Sequence, residues 1–268
     1  MRPSVALKTL RDARRGFAWW SLGLAGLVAL IVAVYPSVRD NPALDRLVQD
    51  YPEVLQAFIG FGGQIDYVSA AGYLGSELYS FMVPLLFLLV AVGGGARSLA
   101  GEEEQGTLDL LLAQPVSRRR VALEKLAALT VELAAIAAVL WASLWVGVRV
   151  VGMSISGLHL AAATSSAGLL ALAFGAVALL VGAAGGKRAR SIGVTAAAAV
   201  AAYLVNSLAP LVEALEPAQK ASPFYHYAVS DPLRRGLEPV HVLVLIGIAV
   251  GAAVLTPYAF DRRDIASS

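Results

Sequence analysis

Glu102, Glu103 and Glu104 stand in a row, and Arg118, Arg119 and Arg120 follow shortly after them. The stretch 101–125 is the most charged part of a very apolar chain and lies between two runs long enough to cross a bilayer. Charge placed in this way offers recognition, a polar surface shown to something in the water. Nucleotide hydrolysis would need a phosphate loop of the form G-x-x-x-x-G-K-[ST]. The nearest stretch, Gly182-Ala183-Ala184-Gly185-Gly186-Lys187-Arg188, has the wrong glycine spacing and an arginine where Ser or Thr belongs. Lys187, Arg188 and Arg190 read better as charges at the end of a membrane helix. Gly93-Gly94-Gly95 follows no strand and is no dinucleotide motif. There is no Ser/His/Asp set and no HExxH, and His159, His226 and His241 are scattered without metal-ligand spacing. The expectation is a chain with no catalytic, cofactor-binding or metal-binding residues of its own.

Composition says where such a surface would sit. The chain has 268 residues, 58% hydrophobic and 15% charged, with a mean hydropathy of +0.70. Soluble domains carry about 25% charged residues, so the departure is toward a membrane protein. The net charge of +2 is too small to argue for nucleic acid. There is no cysteine, which excludes disulfides and thiolate metal sites.

A spanning helix needs about 20 predominantly apolar residues. Six stretches qualify, at about 17–35, 78–98, 121–148, 158–184, 191–209 and 240–260. The chain therefore reads as an all-α polytopic membrane protein, one transmembrane domain over residues 1–268. The first stretch is longer than a signal-peptide core and reads as a retained helix. With a cytoplasmic N-terminus, fifteen of the twenty-one Lys and Arg residues fall on the inner side, so six spans with both termini inside satisfy the positive-inside rule. Residues 36–77 and 210–239 are then extracellular loops. Within the first, residues 51–59 have an amphipathic pattern that suits a short surface helix. Residues 5–15 mix apolar and basic side chains, as an interfacial helix on the inner leaflet would.

In the polar stretch the three glutamates suit the first turn of a short helix, where negative charge opposes the dipole. Gly106 loosens the backbone, and Leu108, Leu110, Leu111 and Leu112 form an apolar face. Pro115 ends the turn, and Ser117 caps the helix that becomes the third span. Four leucines outside the bilayer call for a protein partner or for burial under the spans.

The run Glu102-Glu103-Glu104-Gln105-Gly106-Thr107-Leu108-Asp109-Leu110-Leu111-Leu112-Ala113-Gln114-Pro115-Val116-Ser117-Arg118 resembles the cytoplasmic signature of type-2 ATP-binding-cassette transporter permeases. That signature is an acidic pair, Gly-Thr-Leu-Glu, two leucines, a short gap and Pro-Val-Ser-Arg, and here Asp109 stands where Glu is commoner. A weaker likeness lies in Ser222-Pro223-Phe224-Tyr225-His226-Tyr227 and Asp231-Pro232-Leu233-Arg234-Arg235-Gly236, before the last span. The resemblance implies a permease subunit in the cell membrane, working as a homodimer or heterodimer with separate ATP-binding cassette subunits that hold ATP and Mg. It implies that Glu102, Glu103, Glu104, Gly106, Thr107, Leu108, Asp109, Leu111, Leu112, Pro115, Val116, Ser117 and Arg118 form the coupling segment against those subunits. Such permeases carry drugs, peptides, lipids, ions or polysaccharides, so it leaves the substrate open.

Glu132 is the ionisable residue deepest in a predicted span, and charge there is expensive. It either lines a cavity that meets a polar or cationic substrate, or lies near the inner interface beside a neighbour; the second reading is simpler, because the third stretch is long enough to start below the membrane. Gly247-x-x-x-Gly251, and Ala167, Ala171 and Gly175, would let helices approach closely within one subunit. Pro84 is placed to kink the second span. Two competing readings are an ATP-independent secondary transporter or channel, which would want more midplane charge, and a membrane enzyme, which would want clustered acids or histidines.

Overall fold

The computed structural model describes residues 5–39, 41, 43, 50–52, 55, 67–108 and 117–262. Among these, every regular element is helical, and six helices are long and apolar enough to cross a membrane. The surface helix expected at 51–59 lies outside the described residues. Helix α1 covers Val5–Arg39. Its 35 residues extend about 52 Å at 1.5 Å per residue, well beyond a hydrocarbon core of about 30 Å. The basic stretch 5–15 is not a separate element, since nothing between it and the apolar run breaks the helix.

The second crossing, Ala70–Glu104, is assembled from pieces. Helix α2, Ala70–Leu74, is capped by Ser69 and continues through a π-helical turn, Gly75–Tyr79. The chain then breaks at Phe81 (φ −140°, ψ −48°) before α3, Met82–Ala96. Pro84 explains the break: it has no N–H to return to the turn before it. A second π-helical turn, Arg97–Gly101, leads into α4, Glu102–Glu104. The helix that holds this crossing therefore starts at Ala70, ahead of the apolar stretch expected from 78.

The remaining crossings are α5, Arg118–Val150; α6, Gly157–Gly185; α7, Arg188–Leu208; and α10, Pro239–Asp261. Helix α6 is apolar all round and is the most buried of the six, the position expected of a helix with no polar face. It packs on α3, α5, α7 and α10. The tightest approach is between α3 and α6, where a Cβ on Gly95 would lie 2.2 Å from the Gly175 carbonyl oxygen. Ala167 and Ala171 are fully buried on the same helix. Gly247 and Gly251 do not follow this pattern. A Cβ on either would meet nothing within 4 Å among the described residues, so no close helix approach is seen there.

Contacts define two faces. On one, Arg39 of α1 donates to the Val151 carbonyl at 3.2 Å, just past α5. Trp141 donates to the Gly157 carbonyl at 2.9 Å, and Arg149 lies over the Trp145 ring, an aromatic anchor of the kind found at membrane interfaces. The connection 209–238 belongs to this face and is more structured than a loop. It holds 3-10 turns at Ala209–Leu211 and Glu213–Leu215, then α8, Glu216–Gln219, and α9, Pro223–Ala228. Ser222 caps α9, with Pro223 at its first position. Helix α9 is a wedge. Phe224 packs on Phe174 and Tyr203, the Tyr227 hydroxyl donates to the Tyr79 carbonyl at 2.6 Å, and the Ser166 hydroxyl donates to the Tyr227 carbonyl at 3.0 Å.

Candidate functional site

The opposite face carries the polar segment, and its geometry corrects one expectation. Glu102, Glu103 and Glu104 do not open a new helix; they are the last turn of the second crossing. Arg97–Ala100 contains no breaker, so the helix runs on until Gly106 ends it in a left-handed conformation (φ +66°), the use for which glycine is preferred. Thr107 and Leu108 are helical again beyond that turn, and the Thr107 hydroxyl donates back to the Glu102 carbonyl at 3.1 Å. Asp109, Leu111, Leu112, Pro115 and Val116 lie outside the described residues.

Carboxylates at a helix C-terminus oppose its dipole, so they are stable here only if something else wants them. Glu104 Oε1 accepts from the Arg188 backbone N–H at 2.9 Å. That amide opens α7, whose own N-cap residue, Lys187, supplies no side-chain cap. Glu102 Oε1 pairs with the Lys125 ammonium, which also donates to the Thr9 hydroxyl of α1 at 3.1 Å. Lys125 is 4% exposed, and burying a lysine this far requires such partners. The second oxygen of Glu102 is buried and has no hydrogen-bond partner among the described residues.

The neighbouring helix ends follow the same scheme. Glu124 of α5 accepts from the Ala6 amide at 3.2 Å, capping the start of α1, and holds Arg120 at 2.7 Å. Ser117 caps α5 through the Arg120 amide at 3.3 Å, as its sequence position predicts. Arg118 donates to the Phe260 carbonyl at 2.9 Å near the end of α10 and lies over the Phe260 ring. Arg119 reaches Asp261 and the Tyr258 ring. Leu108 is 1% exposed and packs in a cluster with Leu99, Val121, Leu179, Ala183 and Phe260. The described part of the segment is thus tied to α1, α5, α6, α7 and α10 at once.

Behind these contacts lies a polar crevice of about 230 Å³ between α1, α3, α4 and α5. Glu132 lines it, together with Asp12, Arg97, Glu102 and Lys125. The residues that sequence reading missed are Lys125, Glu124, Thr9 and Arg188. In the sequence Lys125 is one of the fifteen basic residues assigned to the inner side. The available signal was a lysine flanked by Ala122 and Leu129, which belong to the buried stripe of α5.

The caps make a direct prediction. Glu104→Ala leaves the Arg188 amide, which opens α7, without its acceptor and should lower stability by about 0.5–2 kcal/mol. Thermal unfolding in detergent reads this, and Glu104→Asp, which keeps an acceptor, should recover part of the loss.

The whole described fold, from α1 to α10, is covered by one comparison. The sequence model of the family described as ABC-2 family transporter protein matches residues 4–265. No curated protein matches the chain. Family permeases of this kind work with ATP-binding cassette subunits and are membrane transport components. With six membrane-crossing helices and a family match over nearly its whole length, this multi-pass membrane protein belongs to the ABC-2 transporter family, as a permease subunit.

Proposed function

We propose that the chain is the substrate-path subunit of an ATP-driven exporter, that the Glu102–Arg118 segment lies in the cytoplasm, and that ATP-binding subunits dock on it. Two permease chains, alike or related, enclose the path. ATP and Mg are bound by the docking subunits, not by this chain. The observation that supports the reading is the convergence of contacts at Glu102, Glu104, Leu108 and Arg118. A push on this segment reaches four crossings through hydrogen bonds and ion pairs that already exist, to Thr9, Lys125, Arg188 and Phe260. The excess of Lys and Arg on this face supports its cytoplasmic placement.

The test replaces Glu103 and Leu111 together with alanine and purifies the complex with its ATP-binding subunit. Losing one good contact of about 1.4 kcal/mol weakens association tenfold. The expected result is therefore about a tenfold fall or more in co-purification or in ATPase stimulation, with the spans still folded. Unchanged co-purification and transport would count against the docking site. Transport by the purified chain without nucleotide would instead support an ATP-independent carrier.

A further inference from the structure

On the face opposite the Glu102 segment, the fold brings together two histidines that are fifteen positions apart in sequence. His226 of α9 and His241 of α10 meet Nδ1 to Nδ1 at 2.8 Å. Such a contact holds only if one ring donates and the other accepts. The far nitrogen of His226 decides which. Its Nε2 lies 2.9 Å from the Lys220 carbonyl, which can only accept, so Nε2 carries the proton and Nδ1 of His226 presents its lone pair. His241 is therefore the donor at the central contact. Its own Nε2 faces the Glu238 carboxylate at 3.5 Å. A proton added to His241 makes that meeting an ion pair and disturbs nothing else. The same single proton placed on His226 also keeps the contact, because His226 Nδ1 then donates to a His241 whose own proton sits on Nε2 toward Glu238. Only a second proton, which charges both rings, sets N–H against N–H and breaks it.

We propose that this pair is an acid-sensitive latch, which holds the α9 wedge against α10 and releases it when His226 gains a proton beside an already protonated His241. The latch matters because α9 fills the core. Phe224 and Tyr227 are buried, and Tyr227 is bound to both the second crossing and α6. Tyr225 stands edge-on to both imidazoles. Among the described residues, the charged groups on the elements packed against α9 are few. Lys220 lies on the connection from α8, where Glu216 is exposed. Glu238 begins α10. Asp231 and Arg234, between α9 and α10, pair with each other at 3.1 Å, and Arg235 beside them is exposed. Helix α6 has His159 as its one ionisable side chain, and the charges of α7, Arg188 and Arg190, are at its far end.

The sign of the effect follows. Burial holds the His226 imidazole below its ordinary range and the His241 ring adds to this, while the hydrogen bond to the Lys220 carbonyl pulls the other way. An undocked His226 titrates at about 6.5 and takes the proton more readily than a docked one. Docking is therefore complete above that value and is lost as pH falls through the lowered one.

The chain has no cysteine, so single thiols report cleanly. Ala228→Cys, at the end of α9, is compared with Ala221→Cys, which is exposed, and the ratio of their labelling rates cancels the pH dependence of thiol chemistry. From pH 7.5 to pH 5 this ratio should rise about tenfold. In His226→Gln, which keeps both a donor for Lys220 and an acceptor for His241, the ratio should stay at its neutral value. A flat ratio in the unaltered background overturns the proposal, as does the same rise in His226→Gln. If His226→Gln exposes Ala228→Cys at every pH, His241→Gln is read instead. With a neutral partner that can accept, protonating His226 breaks nothing, so the rise should vanish, and its persistence overturns the latch.

Discussion

Glu102→Leu is expected to destabilise the protein by about 3–5 kcal/mol, the usual result of leaving one member of a buried ion pair without its partner. The stranded group is Lys125. It is 4% exposed and, among the described residues, would keep the Thr9 hydroxyl at 3.1 Å as its one hydrogen-bond partner. The reverse change, Lys125→Leu, should cost less, because the Glu102 side chain is 24% exposed and can turn toward water. Replacing both together removes the buried charge altogether, and apolar replacement of a whole pair is often neutral. The double variant should therefore be more stable than Glu102→Leu alone. Denaturant unfolding in detergent, with size-exclusion profiles as a check on folding, measures all three. Equal effects of the two single changes would show that burial of Lys125 is not what the pair resolves.

Gly95→Leu should be worse tolerated still. A Cβ at Gly95 would lie 2.2 Å from a backbone oxygen of Gly175 and 3.1 Å from the Ala178 Cβ. A backbone oxygen on a packed helix cannot rotate away, so α3 and α6 must part. Overpacking a core ordinarily costs about 1–3 kcal/mol, which is the range expected for Gly95→Ala. The isobutyl group of Gly95→Leu should abolish recovery of folded protein. Gly93→Ala is the control, since nothing lies within 4 Å of its Cβ position. It should be neutral or slightly stabilising, because alanine favours a helix by up to about 1 kcal/mol. Expression yield and thermal unfolding of the three variants provide the comparison.

Much of this fold could be read in the sequence, for a plain reason. In a bilayer each crossing must close its own backbone hydrogen bonds, so about 20 apolar residues in a row mean a helix whatever surrounds them. The start of the second crossing was harder, because Gly72, Gly75, Ser76 and Glu77 dilute the apolar signal just where the helix begins. Glu102–Glu104 sit at a helix end rather than the expected start because three acids beside a glycine fit either. What decides is Glu104 reaching the Arg188 amide, a partner 84 positions away. His226 and His241 looked dispersed for the same reason. Helix α9 was visible only as Ser222 followed by Pro223, a start signal with no long helix after it.

The capping of α1 also bears on how the chain is made. Its first amides are satisfied by Glu124, 118 positions downstream, and Thr9 accepts from Lys125, 116 positions downstream. When α1 enters the membrane during synthesis, neither partner has yet been translated. The N-terminal turns of α1 therefore reach their final bonding only after the third crossing is inserted, so truncations that end before residue 124 should leave those turns open to proteases even though the span itself is in place.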